Sequence, residues 1–193
     1  MKLRLSSSLL VLPALLAAGC AGTWPASSDA PYVVSVLQPT LGNTASGTIW
    51  LSQEGPEVVV RGRVSGLKPN QEHGFHVHEK GDCSSSDGMS AGGHLNPGGK
   101  PHGPQHTEHH AGDLPSLKSD ASGNAQIRLR VTGTLLGPAP GAFAGKALIV
   151  HAMPDDYQTQ PTGNSGARIA CGLISQTVGR DASGTPVPRP RDL

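Results

Sequence analysis

Glu72-His73-Gly74-Phe75-His76-Val77-His78-Glu79 is the stretch on which the reading of this chain turns. Apolar and polar residues alternate from Phe75 to His78, the period of a β-strand with one face in a core. Phe75 and Val77 then point inward. His76 and His78 leave the opposite face together, with their imidazoles within reach of one ion. Alone, an exposed His-x-His on a strand is more often a solvated surface than a site, so the rest of the chain has to supply the argument.

Comparable short stretches run from Tyr32 to Leu37, Gly47 to Gln53, Glu57 to Val64, Ala125 to Thr132, Ala147 to Met153 and Arg168 to Ile174, separated by Gly, Asn, Asp and Pro. The 26 glycines, 17 prolines and 3% aromatic content suit short strands and turns rather than long helices. At 193 residues the chain has room for one domain with a substantial core. These features predict an all-β fold, an antiparallel Greek-key β-sandwich or barrel of about eight strands. Lys80 to Leu114 and Pro154 to Ala167 are too long for hairpin turns. Long loops on a rigid β-scaffold are where function is expected.

The first residues have the layout of an export signal: Lys2 and Arg4, an apolar run from Leu9 to Leu16 too short to span a bilayer, then small residues ending at Cys20. Leu16-Ala17-Ala18-Gly19-Cys20 resembles a bacterial lipobox. The expectation is a signal peptide over 1–19, lipidation of Cys20, a flexible linker over 20–31, the folded domain over 32–176 and a flexible tail over 177–193. The mature protein would then be exported to the periplasm or cell envelope and anchored to a membrane through Cys20. Of the 3 cysteines, Cys83 and Cys171 remain, and in an oxidising compartment they are expected to form one internal disulfide.

His94, His102, His110 and Asp113 recur at near-even spacing through a Gly- and Pro-rich loop with almost no apolar residues to fold it. Three imidazoles and a carboxylate make a complete tetrahedral shell for zinc, and a shell with no open position is that of a structural site. Zinc would act as the loop's missing core. His151 ends the apolar run Ala147-Leu148-Ile149-Val150, and with His76, His78 and His94 it completes four nitrogen donors. An all-imidazole shell that can become tetragonal favours copper, which adds the redox chemistry that zinc lacks.

Gly74-Phe75-His76-Val77-His78-Glu79, Ala91-Gly92-Gly93-His94-Leu95-Asn96-Pro97, His110-Ala111-Gly112-Asp113-Leu114 and Gly166-Ala167-Arg168-Ile169-Ala170-Cys171-Gly172 together resemble the copper/zinc superoxide dismutases, from about Tyr32 to Ile174. The lipoprotein-like start points to the exported bacterial branch. The resemblance implies copper on His76, His78, His94 and His151, and zinc on His94, His102, His110 and Asp113, with His94 shared. It implies that Asp155 hydrogen-bonds a histidine from each site, that Arg168 is the channel arginine beside copper, and that Cys83 pairs with Cys171. Thr162-Gly163-Asn164 resembles the segment that narrows the channel. The implied substrate is the superoxide anion, converted to oxygen and hydrogen peroxide while His94 takes up and returns a proton.

His110 rather than His109 is taken as the zinc ligand because the His-x-x-Asp spacing fits the family, and His73, His106 and His109 are expected to be solvated. The second loop carries Asp155 and Asp156 but no lysine, although well-known family members have lysines there to steer substrate; Lys80 and Lys100 are the candidates to replace them. A net charge of +1 supplies no global field, so no nucleic-acid partner is expected and any attraction must be local. The bacterial branch includes monomers and dimers, so a homodimer is one of the implied arrangements. The competing reading is a non-enzymatic exported protein that binds or delivers copper and zinc on the same fold.

Overall fold

The computed structural model describes residues 30–137, 139 and 141–190. The leader over 1–19, Cys20 and most of the linker lie outside the described residues. Eight strands follow one another: β1 (Tyr32–Pro39), β2 (Ser46–Glu54), β3 (Glu57–Ser65), β4 (Glu72–His78), β5 (Asp113–Lys118), β6 (Ala125–Thr132), β7 (Ala147–His151) and β8 (Arg168–Leu173). All pairings are antiparallel, in the order β5-β4-β7-β8-β1-β2-β3-β6, and β5 and β6 approach each other to nearly close a barrel. The chain crosses that seam from β3 to β4 and again from β6 to β7, each time passing over two strands, as in a Greek key. Among the described residues no helix is long and apolar enough to cross a membrane.

Alternation sorts the side chains as the sequence predicts. Val58, Val60, Phe75, Val77, Leu148 and Val150 point into the barrel and belong to its buried apolar interior. His76 and His78 lie on the outer face of β4, opposite Ile149 and Ala147 of β7, and His151 continues that face. The functional face is therefore the outside of the barrel, roofed by loops.

Two smaller apolar clusters sit on this outer surface. Ala147, Ile149 and Cys171 are covered by Ala91 and Cys83 of the first long loop. Val34 and Trp50 are covered by Val187 of the tail. The Val187 N–H donates to the Gly179 carbonyl (2.9 Å), the Tyr32 hydroxyl to the Val187 carbonyl (3.2 Å), and the Arg189 guanidinium stands 5.2 Å from the Tyr32 ring centre. The tail's composition does not reveal this contact, because the apolar surface it covers belongs to β1 and β2.

β5 has no counterpart among the sequence-predicted stretches, since it begins at the last residue of a histidine-rich loop and contains Pro115. It ends the sheet order, and proline is tolerated in an edge strand, where one side feeds no ladder.

Cys83 and Cys171 are joined, with Cα atoms 5.8 Å apart and a sequence separation of 88, tying the first long loop to β8. Replacing both with serine should lower the unfolding free energy by about 4–5 kcal/mol on loop entropy alone. An unchanged denaturant midpoint for the double variant would mean that the loop is held by other means.

Candidate metal centre

β4 supplies His76 and His78, and its outer edge also fixes the loop that faces them. Beyond the first residues of β5, that edge is taken up by loop backbone. The Leu95 N–H donates to the Val77 carbonyl (2.8 Å), the Val77 N–H to the Gly112 carbonyl (2.8 Å), and the Gly112 N–H to the Leu95 carbonyl (2.9 Å). A Cβ on Gly112 would stand 2.1 Å from the Val77 oxygen, so only glycine allows this approach. His94 is thereby bridged to His78, and Asp113 is opposite His76.

Six histidines and one aspartate form two buried donor sets: His76, His78, His94 and His151, and His94, His102, His110 and Asp113. Within each set the donor atoms lie within 4.8 Å of one another. His78 Nε2 and His151 Nε2 are 3.4 Å apart. In the second set Asp113 Oδ1 is 2.8 Å from His94 Nδ1 and 3.2 Å from His110 Nδ1, and Asp113 Oδ2 is 2.9 Å from His102 Nδ1. Donors bonded at about 2.0–2.1 Å to one tetrahedral ion stand about 3.3 Å apart, so this set needs only a small expansion to enclose zinc.

Hydrogen bonds on the far side of each ring decide which nitrogen faces inward. His78 Nδ1 donates to the Gly92 carbonyl (2.9 Å), His151 Nδ1 to the Gly166 carbonyl (3.1 Å), and His76 Nε2 to Asp155 Oδ2 (2.7 Å). The opposite nitrogens are left as lone-pair donors. His76 Nδ1 and His94 Nε2 are buried with no hydrogen-bond partner. Such orphaned atoms cost about 1–3 kcal/mol each. A cation bound by the first set would use both, and the residues fit a metal on that ground.

The two sets differ in charge. Burial lowers His94 to about 4, against the opposing pull of Asp113, and lowers His151 to about 3 with help from the neighbouring His76. Burial also drives His78 far below its usual value. These rings are neutral near pH 7, the form in which imidazole binds a metal. Burial would depress His102 as well, but hydrogen bonds and charge from Asp113 and Asp155 outweigh it and raise His102 to about 9. The same contacts overcome burial to hold both carboxyls well below the usual range.

Asp155 joins the sets, accepting from His76 Nε2 with Oδ2 (2.7 Å) and from His102 Nε2 with Oδ1 (2.9 Å). Gly163 makes room for it, since a Cβ there would lie 1.9 Å from Asp155 Oδ1. Arg168 is half-buried at the start of β8. Its Nη1 donates to the Gly88 carbonyl (2.7 Å) and its Nη2 to the Gly92 carbonyl (2.6 Å), the oxygen that also accepts from His78. Sharing that carbonyl with His78 places Arg168 at the border of the first set.

The remaining histidines divide. His106 is exposed as expected. His109 is half-buried, its Nδ1 donating to the Thr107 carbonyl (2.7 Å), while His110 joins the donor set. His73 corrects the expectation of solvation: it is 1% exposed, and its Nδ1 donates to the His151 carbonyl (2.8 Å). Gln71 Nε2, just before β4, likewise donates to the Ala152 carbonyl (2.9 Å), so side chains at the start of β4 hold the backbone where β7 ends. Strand alternation could have revealed His73, which shares the inward parity of Phe75 and Val77. Lys100 is paired with Glu108, and Lys80 is exposed.

A sequence model of the copper/zinc superoxide dismutases matches residues 45–174. Two proteins of Aquifex aeolicus (strain VF5), superoxide dismutase [Cu-Zn] 2 and superoxide dismutase [Cu-Zn] 1, are each 41% identical to the chain over 133 residues, covering 66% of it and 78% and 79% of themselves. The crystal structure of a SOD-like protein from Bacillus subtilis superposes with a TM-score of 0.68 at 36% identity, covering 75% of this chain and 99% of its own. The matched span contains every residue of both donor sets, Asp155, Arg168 and the disulfide, and the chain belongs to the copper/zinc superoxide dismutase family.

Proposed function

We propose that the protein is a superoxide dismutase of the cell envelope, converting two superoxide anions and two protons to oxygen and hydrogen peroxide. The observation that carries this reading is the position of His94 in both donor sets, with Arg168 at the border of the first. Copper and zinc are the metals of the family. Copper fits His76 Nδ1, His78 Nε2, His94 Nε2 and His151 Nε2, and zinc fits His94 Nδ1, His102 Nδ1, His110 Nδ1 and the Asp113 carboxylate. Bound copper would supply one-electron exchange with superoxide, and zinc a fixed charge with no redox change.

The protein's own groups supply the rest. Arg168 is tethered through two N–H groups to neutral carbonyls, so its positive charge stays available to bind a small anion beside the first set. His94 Nε2, with no other hydrogen-bond partner, is the atom suited to hold a proton and pass it to the peroxide product. Asp155 keeps Nε2 of His76 and His102 protonated, so that their Nδ1 atoms remain donors.

The export reading complements this assignment: cleavage before Cys20 and lipidation of its thiol would hold the enzyme at a membrane of the envelope. Metabolic labelling with palmitate should mark the protein, and Cys20→Ala should abolish the label. A labelled Cys20→Ala variant would overturn the lipoprotein reading.

Copper- and zinc-loaded protein should dismutate superoxide in a xanthine-oxidase-coupled or pulse-radiolysis assay, which a metal buffer would not do. Arg168→Ala should keep both metals but lose at least about tenfold in kcat/KM. His78→Ala should lose copper and activity together. Undiminished rates in either variant would exclude these roles.

Protein stripped of metal by chelation has a characteristic pH profile. His78, His94 and His151 have folded values below the ordinary ~6.5, so the unfolded chain binds more protons and stability falls as pH drops below ~6.5. His102 has a folded value of about 9, so its contribution is complete below ~6.5 and fades as pH rises through 9. The unfolding free energy should therefore peak near pH 6.5, and zinc binding near pH 7 should release a proton from His102. A stability maximum above pH 8 in denaturant titrations would contradict this charge assignment.

A further inference from the structure

The loop from Pro154 to Ala167 brings three side chains to one residue of the other loop, His102. Asp155 accepts from its Nε2 (2.9 Å). The Tyr157 ring lies parallel to the imidazole with centres 6.5 Å apart, and its hydroxyl accepts from the Ser116 N–H of β5 (2.8 Å). Gln160 makes a contact that neither metal binding nor proton transfer has required. Its Oε1 accepts the His102 backbone N–H (2.7 Å), and its Nε2 donates to the His102 carbonyl (2.9 Å). One primary amide thus pairs with both backbone groups of a single residue, as a neighbouring strand would.

His102 needs such a partner because of where it stands. It lies in Gly98-Gly99-Lys100-Pro101-His102-Gly103-Pro104, a stretch whose two prolines have no N–H to contribute to a ladder. A ligand is held only as firmly as its backbone. Asp155 orients the ring through Nε2, the following Gly103 N–H donates to Asp113 Oδ2 (3.2 Å), and Gln160 holds the N–H and carbonyl of His102 itself. Being uncharged, the amide does so without competing for the metal or altering the site's charge.

We propose that Gln160 is a positioning residue of the zinc site, holding the His102 backbone so that zinc departs only when the 154–167 loop lifts. The inference rests on the assignment of zinc to His94, His102, His110 and Asp113. Partners that orient metal ligands typically contribute 10–100-fold to metal retention. Gln160 is at the surface, so replacing it leaves the barrel core intact.

The test uses the copper- and zinc-loaded protein in an excess of a chromophoric zinc chelator, whose colour change follows zinc release. Gln160→Ala, and Gln160→Met of similar length but without hydrogen bonds, should each release zinc about 10–100-fold faster than the natural protein. With cobalt in place of zinc, both variants should also shift the visible absorption bands, which report ligand geometry. A purely structural residue would lower the melting temperature while leaving zinc release within twofold and the cobalt bands unmoved, and that result overturns the proposal. A natural protein that retains no zinc would instead overturn the metal assignment on which it rests.

Discussion

Val77 serves the barrel and the metal centre at once. Its side chain is fully buried in the core, and its N–H and carbonyl bind Gly112 and Leu95, the residues flanking Asp113 and His94. Sliding β4 by one residue would turn Phe75 and Val77 out to solvent and His76 and His78 into the core. Burying two aromatic or β-branched side chains stabilises by about 1.5–3 kcal/mol each, so the core opposes the slip. Hydrophobic packing therefore sets where two imidazoles stand, and the backbone edge of the same strand sets where the others meet them.

This arrangement separates the stability of the barrel from the chemistry of the site. The interior cluster contains no member of either donor set. The roof over the outer face is glycine-rich and polar, and buries imidazoles and carboxylates in place of aliphatic side chains. Burying such groups is unfavourable unless charge is balanced and lone pairs are used. A proton on His102 between Asp113 and Asp155 supplies one form of balance, and a divalent cation bound to the same atoms supplies a stronger one. Metal and proton compete for that place, so loop order and metal binding are thermodynamically linked.

How much could be read beforehand depended on the range of the interactions. Strand alternation is local, and it gave the facing of Phe75, His76, Val77 and His78. Both donor sets, built from spacing and donor type, match the clusters that the fold brings together. The cysteine pair required only the expected compartment and a count. β5 is hidden because Pro115 and the nearby histidines mask a strand that pairs, among the described residues, with β4 alone. The contacts of Val187 with Trp50 and of Gln160 with His102 join residues far apart in sequence, and no local pattern encodes them. His73 differs: its residue type suggests solvation, whereas its odd-numbered place beside Phe75 and Val77 sets it inward, where Nδ1 donates to the His151 carbonyl.

The second loop shows how one element can carry a different set of constraints in different members of a family. Here it has no lysine, Lys100 of the first loop is engaged with Glu108, and the chain's net charge is only +1. At physiological ionic strength, exposed charges are screened over about 8 Å, so capture of an anion falls to groups within a few ångströms of the site. Arg168 meets that requirement, half-buried and hydrogen-bonded to neutral carbonyls. Three of the loop's residues contact the site, with Asp155 at His76 and His102, Tyr157 beside the His102 ring and Gln160 on its backbone. Those three residues serve to hold the ligands, in a loop that carries no lysine.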